Sequence, residues 1–517
     1  LRHQHSRTLS QEESERAAVT YRQLLAGNAD FRRLWTGQVI SEIGDWLNNI
    51  AVLALAIQLA GAGSVGLAVA TYAIARHLPL FIFGPVAGVV VDRVNRRRVM
   101  IAADLARAVL ALGFLLANRA SSLALIYVVG AALFSVSAFF NAAKRASIPN
   151  LVGGTEELLS ANSLSASTTA ATIAVGSALG GVIATAVGRN SVFVLNALTF
   201  VASAEMIRRI RKAVGRKRRL LEDATDEGDA DARSEIKDSK FEISNPESIS
   251  NREFAIANPA SVVLNPEVAS SNRSSKLKAQ GSKSLPTAFG LLPSAFSALR
   301  RVAADFREGL RYVRRDSVLA AVFVVAAGWG LGNGVARALY SIFGARLGEQ
   351  AAKGWGAGLP AVAERPTDFG ISVLFVAMGV GGVLGAPLAR RFNSGATGLG
   401  ARMGRSLTLD GCGLLLFSLT PNLFGAAAVL VAREMNFAIW WTAQQTLLMR
   451  RTEDAYAGRV FASYETLTTL TMVGSILVSG AAADRAGIRV VAACGGGVII
   501  LSGLLWFFLR RRAAEGA

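Results

Sequence analysis

Residues 84–98 read GPVAGVVVDRVNRRR, and residues 385–395 read GAPLARRFNSG. With Gly88 set on Gly385, Arg93 falls on Arg390 and Asp92 on Ala389. Each stretch stands where a long apolar run gives way to a basic connection. Ala161-Asn162-Ser163 and Phe461-Ala462-Ser463 likewise open two later runs in matching fashion. A glycine in such a run lets two helices approach closely, and an aspartate can cap a helix N-terminus and pair with an arginine. The chain is therefore read as a duplication.

Working outward from these markers, apolar runs fall near 35–60, 65–91, 99–117, 122–142, 161–187 and 190–207. A second set follows near 317–343, 369–390, 404–420, 422–448, 461–483 and 488–509. Runs of roughly 17–25 residues match a hydrocarbon core of about 30 Å, and in lipid only a helix or a closed barrel satisfies its own backbone. The 517 residues are 52% hydrophobic with a mean hydropathy of +0.39, so the membrane is the main solvent. The expected fold is an all-α membrane protein with twelve transmembrane helices, arranged as two six-helix halves over 34–207 and 317–509. The fifth and eleventh runs are rich in Ser, Thr, Ala and Gly, which suits helices packed inside a bundle.

Between the halves, 208–316 is polar. It opens on the basic run Arg208 to Arg219, which reads as an anchor to anionic lipid rather than a nuclear signal, and turns acidic from Glu222 to Asp231. Residues 220–285 hold too little apolar surface to offset their ordering entropy and are expected to be disordered. Residues 296–315 (FSALRRVAADFREGLRYVRR) read as an amphipathic helix on the membrane surface. The segment 1–33 is a polar tail with no apolar signal core, and 510–517 is a short basic tail. The chain begins at Leu1 rather than Met, which leaves open a processed or incomplete start and a targeting segment ahead of it.

A net charge of +19 invites a nucleic-acid reading, but the charges sit mostly between apolar runs, where the positive-inside rule places them. Sixteen basic residues lie in alternate short connections and the C-terminal tail, against seven on the other side. That bias puts both termini and the linker in the cytoplasm or its equivalent. Cys412 and Cys494 lie singly in apolar runs, and His3 and His5 in the tail leave only His77 at depth, so neither a disulfide framework nor a metal centre is indicated. No cofactor is expected. The absence of G-x-x-x-x-G-K-[ST] argues against direct ATP-driven transport, and a membrane-embedded enzyme lacks a nucleophile constellation.

Gly88-Val-Val-Val-Asp92-Arg93-Val-Asn95-Arg96-Arg97-Arg98 resembles the signature loop of the major facilitator superfamily, with Asn95 where a glycine is more usual. FRRLWTGQVISEIGDWLNNIAV, ARHLPLFIFGPVAGVVVDR, RASIPNLVGGTEELLSANSL, REGLRYVRRDSVLAAVF and EDAYAGRVFASYETL are similar to the branch containing the enterobactin exporter and macrolide efflux proteins. The resemblance covers 30–207 and 300–509. It implies a cavity walled by spans 1, 2, 4, 5, 7, 8, 10 and 11. It also implies a conformational latch on the cytoplasmic side built from Gly88, Asp92, Arg93, Arg96 and Arg97, with Arg145 and Arg459 as candidate partners. Gly176, Gly180 and Gly181 resemble the family's antiporter motif incompletely, without its proline, and close packing accounts for them.

The sharpest site candidates are polar groups at bilayer depth. Counting about 1.5 Å per residue from Trp35 places Asp45 roughly 15 Å in. Glu42, Asp45 and Asn49 share a face, with Asn48 beside them. Arg76 and His77 stand at similar depth on the second span, and Arg433 and Glu434 on the tenth, followed by Trp440, Trp441, Gln444 and Gln445. Five unpaired charges facing lipid would cost about 12–18 kcal/mol, so Glu42, Asp45, Arg76, Arg433 and Glu434 must pair or face a wet cavity. Two readings stay open. Asp45–Arg76 and Arg433–Glu434 are fixed structural pairs, or Asp45 or Glu42 binds a proton or cationic group that Arg76 helps to release. The tryptophans are read as core packing ahead of substrate stacking. Asn333, Arg337 and Tyr340 are further cavity candidates, with Arg337 alternatively snorkelling to the outer surface.

These readings converge on a secondary transporter, a monomer working by alternating access. It would export a small organic molecule (drug, siderophore or metabolite) in exchange for protons. An importer or facilitator of the same fold, or a transport-inactive sensor or scaffold working through the linker, is the alternative. The expected residence is the plasma (inner) membrane, with an organelle envelope such as the chloroplast's as the other choice.

Overall fold

The computed structural model describes residues 20–61, 63–153, 155–211, 300, 303–393 and 398–515. The expected disorder of 220–285, and the first nineteen residues, lie outside this set. Twelve helices of 20 residues or more run through the described residues. The first six are α1 (Ala29–Leu59), α2 (Val65–Arg93), α3 (Arg96–Arg119), α4 (Leu123–Leu151), α5 (Thr155–Ala186) and α6 (Arg189–Arg208). The second six are α7 (Ser317–Lys353), α8 (Pro366–Asn393), α9 (Leu399–Leu419), α10 (Leu423–Arg451), α11 (Asp454–Ala486) and α12 (Ile488–Glu515).

Side-chain caps start several of them. Asn28 accepts from the Phe31 N–H, Asn95 from Arg98, Ser122 from Leu125 and Asn422 from Gly425. Asp316 accepts from both Val318 and Leu319 at the head of α7. Each cap satisfies donors that helix geometry leaves without partners. Eleven of the twelve are long and apolar enough to cross a membrane. The exception is α9, which carries Arg402, Arg405 and Asp410 within 21 residues. Its outer face still presents Leu409, Leu416 and Leu419, while Asp410 is turned inward and buried.

The duplication is visible in the packing. Helix α1 packs on α5 and α6, α2 on α4, and α3 on α4 and α6; α7 packs on α11 and α12, α8 on α10, and α9 on α10 and α12. Every strong contact of the first half recurs in the second after a shift of six helices. The halves meet through α5 against α8 and α2 against α11, which exchange under the same two-fold relation.

These interfaces close the end of the bundle opposite the chain termini. The Arg189 guanidinium lies 2.8 Å from the buried Asp368 carboxylate and also bonds Gln58. Arg365 donates to the carbonyls of Ala184 and Thr185 at 3.0 Å. Asp484 at the end of α11 accepts from the Gly66 and Leu67 N–H groups at 2.7 and 2.9 Å, capping α2 across the halves. Gly66 and Gly480 cross so closely that a Cβ on either would strike the other's carbonyl oxygen. At the termini end, a Cβ on Gly84 or Gly88 would meet nothing within 4 Å. That end is open.

The expected latch is accordingly not assembled in this conformation. Asp92 and Arg93 are exposed, Arg96 donates to the Ala146 carbonyl at 2.6 Å, and Arg97 donates to the Arg208 carbonyl, all within the first half. Arg145 lies in electrostatic reach of Glu465 on α11. Arg459 pairs instead with Glu308 at 3.1 Å. Glu308 belongs to the helical stretch 303–313, which lies within the segment expected to form an amphipathic helix. It docks on the α10–α11 connection: Tyr312 stacks on Tyr456 with ring centroids 4.5 Å apart, and the Ser463 hydroxyl donates to the Phe306 carbonyl at 3.2 Å. Burying Val313 and Tyr312 against protein removes the apolar face that would otherwise seek lipid.

Candidate functional site

In the first half, charges converge from four helices. Glu42 on α1 accepts from Gln38 at 2.8 Å, from Lys144 on α4 at 3.4 Å, and from Thr169 and Thr172 on α5 at 3.3 and 3.2 Å. One turn deeper, Asp45 faces the Arg107 guanidinium of α3 at 3.9 Å. Arg107 is already hydrogen-bonded to Asp104, one turn before it on α3, and its guanidinium lies 4.1 Å from the Phe140 ring and 4.4 Å from that of Phe200. Asp104 and Arg107 are sealed from solvent, whereas Asp45 and Glu42 keep 24% and 20% of their side-chain surface exposed. Arg76 on α2 bonds Asn49 and lies over the Trp46 ring, with centroid 4.8 Å from its guanidinium carbon. The pairing Asp45–Arg76 expected from sequence is thus displaced: Arg107 holds Asp45 more closely, and Arg76 acts on it from farther away.

The second half builds a tighter counterpart. Arg433 on α10 pairs with Asp410 on α9 at 3.0 Å and reaches Glu434 only at 3.8 Å. It also bonds the Tyr340 hydroxyl and approaches the Asn333 carbonyl at 3.4 Å, both on α7. Arg433 and Asp410 are sealed at 3% and 1% exposure. The expected Arg433–Glu434 pair is therefore the weaker of two contacts, which leaves Glu434 17% exposed.

Between the halves, Arg337 on α7 is exposed and acts electrostatically on Arg76 and His77 of α2 as well as Glu434 of α10. It faces the central space rather than snorkelling outward. Trp440, Trp441, Trp329 and Phe437 form one aromatic cluster, with Trp329 and Trp440 centroids 4.7 Å apart. Trp440 and Gln444 are fully buried, and Gln444 bonds the Tyr464 hydroxyl, so in this conformation they pack the second half rather than line open space. Asn48 and Asn49 are likewise buried, at 5% and 4% exposure.

A family model described as "Major Facilitator Superfamily" matches residues 34–474, which carries it through both halves and across the linker. The chain belongs to the major facilitator superfamily. It is a multi-pass integral membrane protein of a transporter family, not an enzyme family. Among curated proteins it is 30% identical over 174 residues to "Uncharacterized MFS-type transporter YfiS" of Bacillus subtilis (strain 168), covering 34% of this chain and 40% of that one. It is also 30% identical over 142 residues to "Putative bacilysin exporter BacE" of the same organism, covering 27% of this chain and 34% of that one. The matched stretches thus span well under half of either relative. Among solved structures, an inward-facing, unoccupied bacterial homologue of the human lysosomal transporter Spinster aligns over 94% of this chain and 98% of its own. Its TM-score is 0.59 at 11% identity. The nucleoside transporter NupG aligns over 92% and 99%, with TM-score 0.52 at 11% identity. At that identity both speak for the fold alone.

Within the major facilitator frame, the residues that sequence reasoning missed are Asp104, Arg107, Lys144 and Asp410. The signal for three of them was present: they are charges inside the third and ninth apolar runs, as costly in lipid as Asp45. Lys144 was assigned to a connection because the fourth run was ended at 142, whereas α4 continues to Leu151.

Proposed function

We propose that the protein is a secondary transporter that exports a small organic molecule in exchange for protons, with Asp45 as the residue that takes up and gives back the proton. The observation that carries this reading is that Asp104 and Asp45 share one arginine, Arg107. Asp104 holds it by a direct hydrogen bond, while Asp45 stands 3.9 Å off and remains partly open to the central space. Asp45 is the less closely compensated of the two carboxylates on Arg107, since Arg76 acts on it only from farther away, and a proton or a cationic substrate group on Asp45 would offset its charge in a low-dielectric site. Glu42, held by Lys144, lies a turn away and takes part in substrate binding in this reading, as do Arg76 and Glu434 across the cavity. With the termini in the cytoplasm, as the basic connections suggest, the conformation described is open to the cytoplasm, and closing it would assemble the latch at Gly88, Asp92, Arg93, Arg145 and Arg459. The BacE relative's printed name is compatible with export.

The test is untargeted small-molecule content inside and outside cells carrying the wild type, Asp45→Asn or empty vector. A compound depleted inside and enriched outside with wild type alone supports both the efflux reading and the role of Asp45. Equal export by wild type and Asp45→Asn leaves efflux standing and removes Asp45 from coupling. Accumulation inside rather than outside would turn the reading to import.

A further inference from the structure

A cavity of about 460 Å³ lies outside the central space, walled by Arg33, Arg97, Arg208, Arg209, Ile210 and Arg211. Arg33 comes from the first turns of α1, Arg97 from the head of α3, and the others from the end of α6, so three elements aim guanidinium groups at one volume. The termini end of the bundle lies here, where the basic connections cluster. Among the described residues, two carboxylates are paired into the cluster. Asp30 lies 2.7 Å from Arg33, and Glu205 lies 2.6 and 2.8 Å from Arg208 and Arg209. Five arginines against two acids leave three positive charges in surplus.

Helix-end electrostatics alone would explain Arg208 and Arg209, since cations favour a helix C-terminus. They do not explain Arg97, which sits at a helix N-terminus, where a cation is unfavourable, yet is bent back to donate to the Arg208 carbonyl. The Arg97 Nε is buried with no hydrogen-bond partner among the described residues. The Arg211 backbone N–H donates to the Asp30 carboxylate at 3.1 Å, while its guanidinium makes no ion pair among the described residues. Arg208 and Arg209 keep 67% and 60% of their side-chain surface exposed, and a guanidinium surplus of this kind, with one buried donor left unsatisfied, is the arrangement that phosphate oxygens satisfy through paired N–H donors.

We propose that this cavity is a binding site for a phosphate-bearing anion, taken from an anionic phospholipid headgroup or from a free polyphosphate. The site bridges α1, α3 and α6 at the edge of the signature loop, and an occupant ties these three helices together.

The experiment titrates purified full-length protein in neutral detergent with short-chain phosphatidylglycerol, short-chain phosphatidylcholine and inorganic pyrophosphate, reading the shift in thermal unfolding. Wild type is expected to be stabilised by phosphatidylglycerol, by pyrophosphate or by both, and not by phosphatidylcholine. Phosphatidylglycerol alone assigns the site to lipid, and pyrophosphate alone assigns it to a soluble anion. Each arginine removed is expected to weaken the apparent affinity by about fivefold, so Arg97→Gln/Arg211→Gln should lose about 25-fold. Arg211→Gln alone guards against misfolding, because its side chain has no carboxylate partner to lose. Unchanged affinity in both variants, or an equal response to phosphatidylcholine, would overturn the proposal.

Discussion

The two halves place a buried arginine–aspartate pair against corresponding helices, yet they finish the site differently. In the first half Arg107 serves two acids, and the second of them, Asp45, stays partly open at 24% exposure. In the second half Arg433 serves Asp410, Tyr340 and Asn333, and the group standing where α1 offers Asp45 is a neutral amide. Gly44-Asp45 on α1 and Gly332-Asn333 on α7 mark the correspondence: Gly44 meets α6 at Asn196 and Thr199, and Gly332 meets α12 at Gly495 and Ile499. One duplicated scaffold thus sets two acids around one buried arginine in each half, but the outer acid comes from the first helix of the half in one case (Asp45) and from the arginine's own helix in the other (Glu434). The first half leaves Asp45 partly open to the central space, while the second seals Arg433 and Asp410 into a buried strut.

The strut should fail most severely. Arg433→Met leaves the Asp410 carboxylate buried without its cation, and a loss of about 3–5 kcal/mol is expected. Thermal unfolding of the purified protein, or its monodisperse yield, measures it; a near-silent substitution would mean the second half is not held by this pair. Asn333→Asp is the sharper test, because it gives Arg433 an acid at the position where α1 offers Asp45 to Arg107. An unpaired aspartate at the bilayer centre costs about 2.5–3.5 kcal/mol, and the neighbouring arginine should reduce that to about 1–2 kcal/mol. The variant's transport should then show a pH profile shifted from that of the wild type; an unaltered profile would separate burial from coupling. The smallest effect belongs to Lys144→Gln. The Lys144–Glu42 pair is 13% and 20% exposed at 3.4 Å, and Glu42 keeps Gln38, Thr169 and Thr172 as donors. A stability change below about 1 kcal/mol is expected, with any transport change seen in substrate affinity rather than in turnover.

Much of this was legible in the chain. The apolar runs located all twelve helices, but the ends were drawn short wherever helices continue past the hydrocarbon. Helix α4 runs to Leu151 rather than 142, and α7 to Lys353 rather than 343. Hydropathy reports the lipid-facing length, whereas backbone hydrogen bonding carries a helix onward through polar residues. Asp45, Glu42, Arg76, Arg433 and Glu434 were recognisable as charges at depth, yet their partners were not. Periodicity along one helix does not say which neighbour its face meets, so Arg107 and Asp410 could not be matched to Asp45 and Arg433.

The sequence by itself therefore determined the solvent, the helix count, the duplication and the family, because these follow from how apolar residues and short motifs are spaced along the chain. The tertiary structure alone decided which charges pair, which end of the bundle is closed, and where the 303–313 helix docks. Those outcomes depend on close approach between distant segments, as at Gly66 and Gly480 or Tyr312 and Tyr456. Pairing energies in a low-dielectric interior change steeply over an ångström, and no linear pattern records distances of that kind.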